Sequence, residues 1–160
     1  MNDAEYEVQR ERVKTLVAKW LDILPLRHWE ITSNYYQGLL DRDDGKHAEA
    51  LGLCEPDWRY MHATISWALG KVQSADDDQL ERYVVHELMH CMLDQFTHYA
   101  ERDRENAMDH SQVENQVQNL TLAIVWAHHD GIQAGRRAAE AEAERALRIA
   151  DHTQPEQAET

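Results

Sequence analysis

The stretch Gln79–His98, QLERYVVHELMHCMLDQFTH, decides how this chain reads. Leu80, Val84, Leu88, Cys91 and Gln95 follow one side of a helix, and Val85, Met89, Met92 and Phe96 widen that side, the pattern of a helix largely buried in a core. Just upstream, the SADDD run supplies a helix start, with Ser74 or Asp76 as N-cap and acidic side chains set favourably against the helix dipole. Mid-helix lies the string His86-Glu87-Leu88-Met89-His90. Residues four apart stand one turn along the axis and about 40° around it, so His86 and His90 can aim ring nitrogens at one point. Zinc accepts neutral imidazole nitrogen, and a hydrolytic zinc site needs three protein ligands with the fourth position left to water. Glu87, beside the first histidine, is suited to take that water's proton. The motif therefore predicts His86 and His90 as metal ligands and Glu87 as catalytic base.

A third ligand has to come from elsewhere. Ser111 opens another helical pattern, with Val113, Val117, Leu120, Ile124 and Ala127 at helical spacing, and Glu114 falls in its first turn. An antiparallel return would bring Glu114 over the HELMH helix. Ser111 and Glu114 also form S-x-x-E, a capping-box signature that would tie the carboxylate to its own helix start and leave the preceding His110 as the ligand. Asp94 stands two turns beyond His86, about 12 Å along the axis, too far for one ion to be shared; it reads as a supporting or surface carboxylate. The same distance argument removes His98.

Outward from this centre, apolar residues from Tyr6 to Leu21 recur at spacings of three, four and seven and predict an amphipathic helix over Asp3–Leu24, ended by Pro25. HWEITSNYY (28–36) and YMHATISW (60–67) read as strands, DRDDGKHAEA as turn-like, and LGLCEPDW as a further short strand. The strand 60–67 is expected at an exposed sheet edge, able to hold an extended peptide. Gly131 and Gly135 are expected to interrupt or end the Ser111 helix, and RRAAEAEAERALRIAD to form a further helix with an alanine-rich face. The expected architecture is α+β: an N-terminal helix, a small β-sheet, the HExxH helix, a second glutamate-bearing helix and a C-terminal helical extension. Residues 1–131 form one domain in this reading, 132–150 the extension, and 151–160 a disordered tail.

Composition narrows the function classes. The 160 residues, 42% of them hydrophobic, suffice for one core. A formal net charge of -14 without a basic patch argues against nucleic acid as a partner. Cys54 and Cys91 lie far apart in sequence and outside any CxxC spacing, so neither a disulfide framework nor a cysteine-rich metal knuckle is expected. With no signal-peptide pattern and no membrane-length apolar run, the expected setting is the cytoplasm.

HELMHCMLDQF followed by SQVENQVQNLTLAIV resembles the compact gluzincin-type metallopeptidases of bacteria and their phages, in particular the ImmA/IrrE-type domain, and more weakly the SprT-like proteases. The resemblance spans roughly residues 29–127, and only HExxH within it is highly specific. It implies a minimal zincin-like fold, Zn2+ held by His86, His90 and Glu114, Glu87 as base, and a protein or peptide as substrate. The SprT-like version would place the third ligand at His110, although the glycines that flank that histidine in such proteases are missing here. Tyr60, Tyr83, His62 and His110 are eligible donors to a developing oxyanion. The competing reading is a catalytically silent metal-binding or acidic interaction or inhibitor protein on the same fold. A di-iron bundle is set aside because no second E-x-x-H exists.

Overall fold

The computed structural model describes residues 1–38, 40–41, 47–48, 50–102 and 110–152. Helix α1 spans Asp3–Ile23 and opens with a reciprocal cap: the Asn2 side chain accepts from the Glu5 backbone N–H at 2.9 Å, and the Glu5 carboxylate accepts from the Asn2 N–H at 2.8 Å. Strand β1 (Glu30–Tyr36) is followed by the two-residue strands β2 (Leu40–Asp41) and β3 (His47–Ala48), then by β4 (Gly52–Asp57) and β5 (His62–Ala68). A single-turn helix α2 (Leu69–Val72) leads to α3 (Asp77–Arg102), and α4 spans His110–His152. The chain divides into two compact units, Met1–Leu122 and Ala123–Thr160.

The first unit is α+β. Its sheet has the order β1-β5-β4, with β1 parallel and β4 antiparallel to β5, while β2 and β3 pair separately as an antiparallel ladder. Strand β5 is therefore the centre of the sheet, and the expectation that the 60–67 stretch forms an exposed edge is wrong. Ala63, Ile65 and Trp67 on its inner face are fully buried. The edges are β1 and β4. Alternation along YMHATISW reports one buried face, and says nothing about whether neighbours flank both sides.

The core gathers Val13, Val17 and Trp20 from α1, Ile65 and Trp67 from β5, Leu69 and Val72 from α2, and Leu80, Val84, Val85, Leu88 and Cys91 from α3. Helix α3 begins where the acidic run predicted. Asp76 is the cap: its carboxylate accepts from the Gln79 N–H at 2.7 Å while the Gln79 side chain accepts from the Asp76 N–H. The buried face does not persist to the end of the helix, since Phe96, expected on it, is 70% exposed. Arg12 ties α1 to the α2–α3 junction through the Val72 and Ala75 carbonyls and Asp77. A buried carboxylate, Glu81, accepts from both Lys19 and the Trp20 indole N–H, fastening α1 to α3.

In the second unit the helical backbone runs on through Gly131 and Gly135 as part of α4, where these glycines were expected to break it. A glycine costs a helix about 1 kcal/mol relative to alanine, and the alanine, arginine and glutamate around these two offset that. Of the tail expected over 151–160, Asp151 and His152 end α4 and the rest lies outside the described residues, as does the charged run 103–109. Among the described residues no helix is long and apolar enough to cross a membrane.

Candidate metal centre

Helix α3 carries His86 and His90 on one face, one turn apart, with their Nε2 atoms 3.2 Å from each other and the rings edge to face. Glu114 reaches both from α4. Its Oε2 lies 3.3 Å from His86 Nε2 and its Oε1 3.6 Å from His90 Nε2. All three residues are partly shielded from solvent. Offering one ligand atom each, with those atoms all within 4.8 Å of one another, His86, His90 and Glu114 could hold a metal ion.

Among the described residues the Glu114 carboxylate meets the two histidines. The side chain of His110 lies outside what the structure describes. Asp94 takes no part in the cluster; its Oδ2 accepts the Trp58 backbone N–H at 3.0 Å and so pins the end of β4 to α3.

The electrostatics of the cluster favour cation binding. The pKa of His86 lies above its ordinary value. Burial is the largest single influence and opposes the charge, but hydrogen bonding to Glu114, the fields of Glu87 and Glu114, and a hydrogen bond to Gln118 together outweigh it. Those same groups that attract a proton would attract a metal cation. His86 Nδ1 is buried and without a hydrogen-bond partner among the described residues, so none of their carboxylates or carbonyls fixes the ring from that side.

Glu87 lies between the two histidines in sequence and is buried, only 6% exposed. Its side chain rests on strand β4. A Cβ built on Gly52 would fall 2.7 Å from Glu87 Cγ and 2.9 Å from its Cδ and Oε1. Gly52 thus makes the space that the carboxylate fills, and it does so by lacking a side chain, since its φ does not lie in the left-handed region. The sequence reading passed over both Gly52 and Gln118. A glycine inside LGLCEPDW carries the signal of a close approach, but not the identity of what approaches.

The oxyanion candidates separate by exposure. Tyr60 is 80% exposed, Tyr83 is 46% exposed on α3, and His62 is half-buried at the start of β5. The two cysteines, distant in sequence, meet in space. Cys54 on β4 and Cys91 on α3 are both free thiols with sulfurs 3.5 Å apart. The hydrogen bond they share, followed by burial, pushes the Cys54 pKa up. Of the five tryptophans, Trp20 and Trp67 are core, whereas Trp29 and Trp58 line a cavity of about 510 Å3 that reaches Cys91.

No family model, curated protein or solved structure matches the chain.

Proposed function

We propose that the first unit is a minimal zincin-like domain and that the protein is a zinc-dependent metallopeptidase acting on a protein or peptide substrate. The observation that carries this reading is the spacing of the donor set around a buried glutamate. A tetrahedron with ligands about 2.0–2.1 Å from its centre has edges of about 3.3–3.4 Å. The two imidazole nitrogens lie 3.2 Å apart, close to such an edge, and the Glu114 carboxylate straddles them, one oxygen 3.3 Å from His86 Nε2 and the other 3.6 Å from His90 Nε2. Two imidazoles and one carboxylate leave a fourth position open, as catalytic zinc sites do and closed structural ones do not. A zinc ion held there would supply a Lewis acid for a peptide carbonyl and would lower the pKa of a water.

The chain's own residues do the rest. Glu87, anchored against Gly52, accepts the proton of the attacking water and passes it to the leaving amine. Its burial strengthens that exchange by keeping bulk water from screening the carboxylate. An extended peptide adds to β4, a sheet edge and the strand on which Glu87 rests, in place of the central β5. The two closely set free thiols suit a reducing compartment, the cytoplasm.

The test is metal content of the full chain purified without added metal, together with hydrolysis of a quenched fluorogenic peptide library. About one zinc per chain is expected, lost in Glu114→Ala and retained in Glu87→Gln, with cleavage abolished in both. A metal-free wild-type protein, or full cleavage by Glu87→Gln, would overturn the reading.

A further inference from the structure

Arg82 stands one turn before His86 on α3, and Gln118 one turn after Glu114 on α4. Side chains four apart on a helix share a face, so each residue extends the face that carries a member of the metal cluster. Gln118 belongs to two neighbourhoods at once. It lies close enough to His86 to favour the charged form of that ring, and with Gln79, Arg82, Tyr83 and Leu122 it lines a cavity of about 290 Å3. The cavity therefore begins where the cluster ends.

Its lining has a definite chemistry. Arg82 contributes a planar guanidinium with five N–H donors, Gln79 and Gln118 contribute amide N–H groups, Tyr83 a hydroxyl, and Leu122 an apolar wall. No acidic residue is among them. In a chain of net charge -14, Arg82 makes no ion pair among the described residues. An arginine without an ion-pair partner among the described residues, grouped with several neutral donors and beside an apolar side chain, matches the requirements of a ligand carboxylate on a short aliphatic stem. The volume admits a glutamate-sized group with accompanying water.

We propose that this cavity is a carboxylate-binding subsite adjoining the metal cluster, with Arg82 as its anchor, taking an acidic side chain or the terminal carboxylate of a bound peptide. The proposal rests on the reading of the cluster as a hydrolytic metal site. It gives the enzyme a preference at one position, for an acidic residue or for a chain end, and makes Arg82 a determinant of specificity rather than of bond cleavage.

The experiment uses the full-length, zinc-loaded protein and two series of hydroxamates, which bind metal through the hydroxamate group. One series is the monohydroxamates of linear dicarboxylic acids from succinic to suberic; the other is alkyl hydroxamates of the same lengths. At one or more lengths the terminal carboxylate is expected to tighten binding at least about tenfold. Arg82→Gln abolishes that gain while leaving the affinity of the alkyl series unchanged, and Arg82→Lys restores part of it. Equal binding of the two series at every length, or a gain that survives Arg82→Gln, would overturn the subsite while leaving the metal site intact. Failure of every hydroxamate to bind would instead remove the metal site, and the subsite with it. Peptidyl hydroxamates with a glutamate and an amidated end, compared with alanine peptides bearing a free end, identify the source of the carboxylate; tighter binding of neither than of a neutral, amidated alanine control would also overturn the subsite.

Discussion

Replacing Gly52 with alanine puts a methyl group where the Glu87 side chain already lies, at 2.7 Å from Cγ and 2.9 Å from Cδ and Oε1. Ordinary carbon contacts are about 3.5–4.0 Å, so one partner must yield by roughly 1 Å. Gly52 is in a hydrogen-bonded strand and Glu87 in the middle of a buried helix, and neither backbone gives easily. Overpacking of this kind costs about 1–3 kcal/mol, a loss of roughly 3–9 °C in Tm for a chain of this size. Because the overlap is with one side chain, the cost should vanish when that side chain is removed. The assay is a double-mutant cycle in metal-free protein, with Gly52→Ala made in the wild type and in Glu87→Ala, each followed by urea denaturation. A coupling of about 1–3 kcal/mol is expected. Equal losses in the two backgrounds, within about 0.5 kcal/mol, would refute the claim that Gly52 exists to seat Glu87. In zinc-loaded protein the same displacement of the base should lower cleavage by about 100-fold with little change in zinc affinity.

Further outcomes follow from other parts of the structure. Zinc at about 1,000 times its dissociation constant should stabilise the wild type by about 4 kcal/mol in thermal unfolding, an effect that chelation reverses and Glu114→Ala largely removes. Glu81→Leu removes the acceptor of the buried Trp20 indole N–H and should cost about 1–3 kcal/mol in urea denaturation, whereas Glu81→Gln, which keeps an acceptor, should cost less than about 1 kcal/mol; equal effects would contradict the assigned hydrogen bonds. Thr121 is fully buried with its hydroxyl unpartnered among the described residues, so Thr121→Val should be neutral or stabilising by up to about 1 kcal/mol, and a clear loss would show that the hydroxyl is needed. Cys54 and Cys91 should resist iodoacetamide in the folded protein, since Cys91 is buried and the shared hydrogen bond and burial hold the Cys54 thiol protonated, yet diamide should join them in one intramolecular disulfide, seen as a loss of about 2 Da. Labelling as fast as in the unfolded chain would contradict that placement.

What could be read from sequence followed the distance over which each feature is encoded. His86 and His90 were legible because helical geometry alone sets their relation, and α3 announced itself by its apolar period and its acidic start. Glu114 was a choice between two local patterns that the sequence left open; in the structure its carboxylate lies beside both histidines. The meeting of Gly52 with Glu87 and of Cys54 with Cys91 was not legible, because each joins residues more than thirty positions apart through the pairing of β4 with β5 and its packing on α3. Strand order was hidden for the same reason. An alternating stretch such as 60–67 records that one face is covered, and only the arrival of β1 on one side and β4 on the other made it central. Phe96 misled because period predicts a face, whereas its burial depends on whether another element extends that far.

The seat of Glu87 on Gly52 also has a mechanical meaning. The carboxylate and the backbone of β4 touch with no intervening side chain, so there is no soft layer between them to absorb movement. Were a peptide to dock along β4, as proposed, a shift of the strand by a fraction of an ångström would pass directly to the Glu87 side chain. On the proposed reading the sheet edge and the base would act as a lever and its tip, the alignment of Glu87 depending on how a peptide lies along the strand as well as on the helix that bears it.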